Sequence, residues 1–189
     1  MKCTLSILLL LLLALPASSR RMPFDDDGRL NFSKSIDVPE RSGDEISLYA
    51  GSFAKKNNLT EITIIDDTAG KVVKAKISWP YNGGKKSCIG NMAIEGQLIV
   101  ICRNHEATLN ITNFTYKHYS AHSGTIKRIR ADRSREACDS TGTIEMLMDC
   151  PQCKGSQRHI YKMIRKNAKE YISNFKDRMK DPEGEKVNW

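Results

Sequence analysis

The sequence predicts a mainly β fold: an antiparallel barrel or sandwich of about seven or eight strands with a C-terminal amphipathic α-helix packed on it. Short runs rich in β-branched residues recur along the chain, and Gly, Asp, Asn or Pro residues separate them. The last long segment, residues 156–179, instead repeats its apolar residues at intervals of three and four. That spacing is typical of a helix with one buried face.

Residues 1–19 have the form of a secretory signal peptide. A single lysine precedes a leucine-rich run, and Pro16 followed by small residues ends that run. The run is shorter than the ~20 apolar residues that a membrane-spanning helix needs. We therefore expect a secreted, extracellular protein with no membrane span, whose mature chain begins near Arg20.

The remaining chain divides by composition. Residues 20–45 are polar and contain several Asp, Pro and Gly residues, which predicts a flexible N-terminal arm. The periodic segments occupy residues 46–181, a length that suits a single β-rich domain including the C-terminal helix. Residues 182–189 are polar and form the predicted tail.

The first predicted strands follow the arm. Residues 46–50 form a short apolar run, and residues 59–65 are rich in Ile and Thr. Residues 71–79 alternate lysine with apolar side chains over their second half. Asp66 and Gly70 bound the short loop between the second and third runs, so these two runs are predicted to form a hairpin.

Further strands are predicted at residues 89–94, 97–102, 107–116, 124–130 and 143–149. Residues 95–96 form the predicted turn between the first two. In the strand over residues 107–116, period-two alternation places Leu109, Ile111 and Asn113 on one face and Phe114 on the other.

The C-terminal helix is predicted by one continuous apolar stripe and by signals at both ends. The stripe consists of Ile160, Met163, Ile164, Ala168, Tyr171, Ile172, Phe175 and Met179. The opposite face carries Arg158, Lys162, Arg165, Lys166, Lys169, Lys176 and Arg178. Ser156 is a candidate N-cap, and Asp181 with Pro182 ends the helix. A second interpretation makes residues 159–165 an eighth strand and starts the helix near Asn167, and the sequence leaves both open.

The cysteines of the mature chain are candidates for disulfide bonds because extracellular compartments are oxidising. They are Cys88, Cys102, Cys138, Cys150 and Cys153. Cys88 and Cys102 flank a predicted hairpin and are expected to pair, which leaves Cys138 to pair with Cys150 or Cys153. The number is odd, so one cysteine is free or forms a disulfide-linked dimer.

Cys150 and Cys153 also have the spacing found in thiol oxidoreductases. Together with Cys138 and His159 they offer ligand types that zinc accepts. A lone CxxC pair in an oxidising compartment is more often a structural disulfide. The sequence shows no catalytic triad and no glycine-rich phosphate loop. We therefore predict that the protein is not an enzyme and needs neither a metal nor another cofactor.

Surface chemistry is indicated by sequons and by basic residues. The predicted glycosylation sites are Asn31, Asn58, Asn110 and Asn113. The formal net charge is +8, which favours acidic partners. The predicted polyanion-binding cluster consists of Lys127, Arg128, Arg130, Arg133 and Arg135, and a merely solvated loop explains it about equally well. Nucleic acid is not an expected partner of a secreted protein.

The order of these features resembles the lipocalin family, in particular the members similar to alpha-1-acid glycoprotein. The resemblance lies in the run of strands before a terminal helix, in Cys150-Pro-Gln-Cys153, and in Lys169-Glu-Tyr-Ile-Ser-Asn-Phe-Lys176. It implies a cup-shaped barrel that binds a small hydrophobic ligand. The Gly-x-Trp signature of the family is absent, since Leu48-Tyr-Ala-Gly-Ser-Phe53 stands in its place. No ligand-binding residues can therefore be assigned from the resemblance.

Two functions remain as hypotheses. The first is a secreted glycoprotein that binds a small hydrophobic ligand in a lipocalin-like cavity without catalysis. The alternative is a secreted signalling or matrix factor that binds glycosaminoglycan or a cell-surface receptor through a basic patch. The two differ in a simple observable, because only the second predicts retention on heparin that salt abolishes.

Overall fold

The computed structural model describes residues 22–68, 70–83, 91–118, 141–149 and 154–180. The strands in these ranges are β1 (Phe32–Asp37), β2 (Thr60–Asp67), β3 (Gly70–Tyr81), β4 (Met92–Arg103), β5 (Glu106–His118) and β6 (Thr141–Thr143). The helices are α1 (Gly43–Lys56), α2 (Ile144–Asp149) and α3 (Lys154–Lys180).

The strands form one antiparallel sheet of six strands in the order β1-β5-β4-β3-β2, and β6 pairs with β5. The sheet is open, with β2 at one edge. Helices α1 and α3 pack together on one face of the sheet. The predicted mainly β fold with a packed C-terminal helix is therefore confirmed, as is the hairpin of β2 and β3.

Alternation along β3 shows how the sheet obtains one buried face. Val73, Ala75 and Ile77 are buried beneath the helices, whereas Lys74 and Lys76 lie between them on the opposite face. The same period-two pattern continues across the paired residues of β4 and β5. Removal of these aliphatic side chains from water supplies the main driving force for packing the helices on the sheet.

Helix α1 replaces a predicted strand. Ser42 is its N-cap: the Ser42 Oγ accepts a hydrogen bond from the Glu45 N–H at 3.3 Å, and the Glu45 Oε2 accepts one from the Ser42 N–H at 2.8 Å. This capping box begins a helix whose buried Ile46, Ala50 and Phe53 share one side. The strand prediction for residues 46–50 is therefore wrong. Five residues are too few to distinguish the period of a strand from the period of a helix.

The predicted flexible arm is wrong over residues 32–45, which contain β1 and the start of α1. Strand β1 is an edge strand, so its exposed positions are polar and only Phe32 and Ile36 are buried. Just before it, the buried Leu30 donates its backbone N–H to the Glu145 Oε1 at 2.8 Å. Too few apolar positions fall in this segment for a periodicity to be recognised.

Strand β4 is continuous, so the turn predicted at residues 95–96 is wrong. Gly96 instead lies at a β-bulge, where Asn113 and Phe114 of β5 stand opposite it. A Cβ on Gly96 would lie 2.9 Å from the Phe114 Cδ1, so only glycine leaves room for the inward ring. The bulge reverses the alternation of β5: Phe114 is buried and Asn113 is exposed, opposite to the prediction.

The C-terminal elements settle two further expectations. The strand predicted over residues 143–149 is wrong beyond Thr143, because residues 144–149 form α2 and the extended segment is residues 141–143. Helix α3 spans residues 159–165, so the eighth-strand interpretation is wrong. Ser156 is buried within α3 and is not its N-cap, whereas the helix ends at Lys180 as predicted.

The predicted signal peptide (1–19), the strand over residues 124–130 and the tail (182–189) lie outside the described residues. Within the described ranges, no helix combines the length and the apolar character needed to cross a lipid bilayer.

Candidate functional site

The most distinctive surface feature is a row of cations along α3. Arg158, Lys162 and Lys166 follow one another at intervals of four residues, and Lys169 and Lys176 continue the row. All five side chains are exposed. At 1.5 Å per residue, the 27 residues of α3 extend over roughly 40 Å. We call these five residues the α3 basic face.

The α3 basic face is mostly cationic, with Glu170 one helical turn beyond Lys166. Over the ranges that the structure describes, none of its five side chains forms an ion pair, whereas Lys71 and Lys76 on the sheet do. Like charges one helical turn apart repel each other by about 0.2–0.5 kcal/mol per pair. A bound anion would reduce this repulsion, so part of the free energy that the repulsion costs the unbound helix would be recovered on anion binding.

The opposite side of α3 holds the helix in place. Ile160, Ile164 and Phe175 are fully buried against the sheet and α1. Arg178 was predicted on the basic face, but it is half-buried and its Nη2 donates to the Ser52 Oγ at 2.8 Å. The α3 basic face is therefore presented by a helix whose orientation is set by its apolar contacts.

A cleft of about 420 Å³ lies at the end of the sheet where α1 begins. Lys71 stands in it, with its Nζ 2.9 Å from the Asp44 Oδ1 and 3.7 Å from the Asp66 Oδ1. The hydrogen bond to Asp44, with the charges of both carboxylates, raises the pKa of Lys71. Lys71 is thus paired with two carboxylates of the cleft. The lining consists mainly of polar and charged residues, so the cleft does not resemble an apolar ligand cavity.

The space between the sheet and the helices is filled by aromatic rings. The Phe53 ring lies 5.2 Å from that of Phe175 in an edge-to-face arrangement. The Trp79 ring lies 5.9 Å from both Tyr171 and Phe114. Burial is the main cause that raises the pKa of Tyr171. These contacts are those of a packed core, in the place where the lipocalin resemblance implies a hollow.

Cys102 is a free and buried thiol, 1 % exposed on the helix-covered face of β4. The predicted bridge between Cys88 and Cys102 is therefore wrong, because Cys102 points into the core. Its burial also prevents Cys102 from joining two chains in a disulfide-linked dimer. The other predicted disulfide cysteines (Cys88, Cys138, Cys150 and Cys153) lie outside the described residues.

Removing the Cys102 thiol is expected to reduce the loss of stability at alkaline pH. Burial raises the pKa of Cys102 from 9.0 to about 12. Between these values the unfolded chain loses the thiol proton while the folded chain keeps it. The free energy of unfolding therefore falls as pH rises, by at most about 1.4 kcal/mol per pH unit. Urea unfolding of wild type and Cys102→Ala from about pH 8 to about pH 11 should give a shallower decline for the variant; equal slopes would contradict the assignment.

The sequons occupy different environments. Asn58 and Asn113 are exposed at positive φ, and the Asn113 Nδ2 donates to the Gln97 Oε1 at 3.0 Å. Asn110 is half-buried on the sheet face that the helices leave open. Asn31 is half-buried, and in the part of the chain that the structure describes its Oδ1 has no hydrogen-bond partner. Glycosylation stays a prediction, and Asn58 and Asn113 are the most accessible acceptors.

The predicted polyanion-binding residues Lys127, Arg128, Arg130, Arg133 and Arg135 all lie outside the described residues. The α3 basic face was visible in the sequence as the polar side of the helix, but a basic helix face is most often only solvated. Two observations could not be read from the sequence: these cations form no ion pair among the described residues, and the helix is fixed to the sheet.

Comparison with known proteins finds likeness in structure alone. No family model and no curated protein matches the sequence. A TBP-like protein from Parabacteroides distasonis superposes with a TM-score of 0.54 and 11% identity, covering 85% of this chain and 97% of that one. A DUF4468 family protein from Bacteroides ovatus also gives a TM-score of 0.54 and 11% identity, covering 85% and 92%. Neither is described as a lipocalin, and identities this low establish shared fold only.

Proposed function

We propose that the protein is a secreted, non-catalytic binding protein whose α3 basic face binds a linear sulfated polysaccharide of the glycosaminoglycan class. The observation that carries the proposal is a row of exposed cations, with no ion pair to any described residue, on a helix anchored to the sheet. A polyanion that lies along the row is attracted by each cation and screens the repulsion between neighbouring cations.

A linear polyanion suits the shape of the α3 basic face. Lys162, Lys169 and Lys176 are spaced by seven residues, so they recur about every 10.5 Å on nearly the same side of the helix. Arg158 lies one helical turn before Lys162 and Lys166 lies one turn after it, so these two residues add positive charge beside the line. A chain with regularly repeated sulfate groups could contact several of these cations together, whereas a single small anion could contact only one or two.

An anionic membrane surface is a less suitable partner. A helix that inserts into a lipid interface must turn its apolar side toward the acyl chains. In α3 that side, including Ile160, Ile164 and Phe175, is buried against the rest of the fold. The α3 basic face can therefore approach lipid headgroups by charge alone, without the apolar contribution that makes such binding strong.

Replacing Arg158, Lys162, Lys166 and Lys169 together by glutamine is expected to weaken binding to immobilised heparin by about 30-fold. Four exposed ion pairs at about 0.5 kcal/mol each together contribute about 2 kcal/mol, and about 1.4 kcal/mol corresponds to a factor of ten. The slope of log Kd against log salt concentration should also become shallower, because fewer counterions are released. Surface plasmon resonance at several salt concentrations measures both quantities.

The matched control removes the same amount of charge elsewhere. Glutamine at Lys34, Lys55, Lys56 and Lys117, which are exposed on β1, α1 and β5, should change heparin binding less than about threefold. Equal losses in both variants would mean that net charge alone drives retention. Binding of the wild type to anionic vesicles or to DNA as tightly as to heparin would overturn the glycosaminoglycan assignment.

A small hydrophobic ligand remains the other proposal, on the lipocalin resemblance alone. Such a ligand would need to open the core where the Trp79 ring packs on Tyr171 and the Phe53 ring packs on Phe175. Native mass spectrometry of the secreted protein tests this directly. A lipid of defined mass that co-purifies at stoichiometric amount would favour the cavity hypothesis over polysaccharide binding.

A further inference from the structure

Strand β2 forms one edge of the sheet among the described residues, and β1 lies at the opposite edge. Among the described residues, β2 pairs with β3 on one side and with no strand on the other. Half of the backbone N–H and C=O groups of an edge strand point away from its neighbour. These groups form a template on which another extended segment can add a strand.

The side chains of β2 leave this edge accessible. Ile64 and Ile65 are 46% and 44% exposed, although both are isoleucines in the middle of the strand. Residues 63–67 pair with β3 in regular register, so this part of the edge is straight enough to accept a further strand. The irregularity between Thr60 and Thr63 limits the regular edge to those five residues.

Charge on β2 discriminates between possible occupants. The strand carries Glu61, Asp66 and Asp67 and no basic residue. Side chains of Glu61 and Asp66 are 71% and 86% exposed. The β2 strand of a second copy would bring the same three carboxylates and no cation to this edge. Like charges opposite each other are destabilising, so the edge resists self-association.

Strand β3, the neighbour of β2 in the sheet, shows which side chains pair with those of β2. It places Lys71 with its Nζ 3.7 Å from the Asp66 Oδ1, and Lys76 with its Nζ 3.4 Å from the Glu61 Oε1. Between these lysines β3 supplies small and β-branched apolar residues beside the isoleucines of β2. The side chains of β2 project above and below the sheet, so the same carboxylates can be reached from the free side.

We propose that the free edge of β2 is a docking site for an extended peptide segment in which basic residues flank a β-branched, apolar centre. The segment adds as a further strand beside residues 63–67, its backbone satisfies the outward N–H and C=O groups, and its basic side chains meet Asp66, Asp67 and Glu61. This site is separate from the α3 basic face, and it selects a partner of opposite charge.

The test uses a synthetic peptide with the sequence Lys-Val-Val-Lys-Ala-Lys-Ile-Ser, which copies residues 71–78. Added to the full-length, ¹⁵N-labelled protein, it is expected to shift the backbone amide signals of residues 63–67 most strongly in NMR titrations. The double variant Asp66→Lys/Asp67→Lys should weaken this binding at least about tenfold, since two attractive contacts become repulsive.

Two controls separate strand addition from simple charge attraction. Asp26→Lys/Asp27→Lys makes the same charge change at two exposed residues near the N-terminal turn and should leave peptide affinity within about twofold. A peptide of the same sequence with N-methyl groups on alternate amides keeps its charge but cannot form the ladder of hydrogen bonds, so it should not bind.

Each of the other outcomes overturns the proposal. Binding of the N-methylated peptide with equal affinity would show that charge alone acts. Peptide-induced shifts centred on other strands would place the site elsewhere. Concentration-dependent dimerisation with shifts at residues 63–67 in the absence of peptide would make a second copy the occupant. Because the peptide variants are tested on the wild-type protein, the result does not depend on whether the lysine variants fold.

Discussion

Replacing Phe175 by alanine is expected to lower the free energy of unfolding by about 3–5 kcal/mol. Phe175 is fully buried on α3, and its ring packs edge-to-face on Phe53 of α1 at 5.2 Å between centroids. Truncation removes apolar contacts and leaves a cavity at the junction of α3, α1 and the sheet. Urea unfolding followed by circular dichroism measures the change, and Tm should fall by roughly 10 °C.

The neighbouring residue provides the matched control for Phe175→Ala. Lys176 lies on the same helical turn but is exposed, so Lys176→Ala should change stability by no more than about 0.5 kcal/mol. Comparable losses from both variants would mean that the apolar side of α3 is not held against the core. That result would also weaken the proposed function, which needs the α3 basic face on an anchored helix.

Gly70→Ala is expected to cost about 2–4 kcal/mol, the second large effect. Gly70 begins β3 at a φ of +126°, a conformation that residues with a Cβ rarely adopt. A Cβ at this position would also collide with the backbone carbonyl of Cys102 on β4. Strand pairing holds the backbone of residue 70 and the carbonyl group of Cys102 in place. The collision can therefore be removed only if the β2–β3 hairpin moves. Thermal unfolding of the purified variant measures the loss.

Gly28→Ala separates the effect of the positive φ from the effect of the steric collision. Gly28 has a φ of +73°, but a Cβ there would meet no atom within 4 Å. Its replacement should therefore cost only the conformational term, about 1 kcal/mol. If Gly28→Ala and Gly70→Ala destabilise the protein equally, the close approach of β3 to β4 at Cys102 contributes nothing, contrary to the expectation.

Elements whose signals lie within a few neighbouring residues could be predicted from the sequence. Residues 71–79 and 107–116 were recognised as strands by alternation, and the long period of α3 was recognised over many turns. Short or irregular elements could not be recognised in this way. Residues 46–50 are too few to distinguish a strand from a helix, although Ser42 and Glu45 form a capping box that points to a helix start.

The bulge at Gly96 leaves a trace in the sequence, but this trace has more than one structural interpretation. The apolar spacing along β5 changes from two to three residues between Ile111 and Phe114. This change indicates a bulge only when the opposite strand is known, because Gly96 must supply the space for Phe114. Without that pairing, the same glycine beside a glutamate was interpreted as a turn.

The candidate sites depend even more on tertiary structure. The sequence identified cationic residues on α3 but could not show which of them form ion pairs with described residues, or that Arg178 turns inward to Ser52. It likewise could not identify Cys102 as the buried free thiol or β2 as the exposed edge. These properties depend on residues that are far apart along the chain.

The sequence by itself determined the mainly β class, the β2–β3 hairpin and the terminal helix with its basic side, because each of these is encoded in local periodicity and turn chemistry. Only the tertiary structure decided that the sheet is open, which strands are its edges, and which face is covered by the helices and their aromatic rings. The physical reason is that strand order and packing arise from contacts between distant segments, whose free energy no local pattern contains.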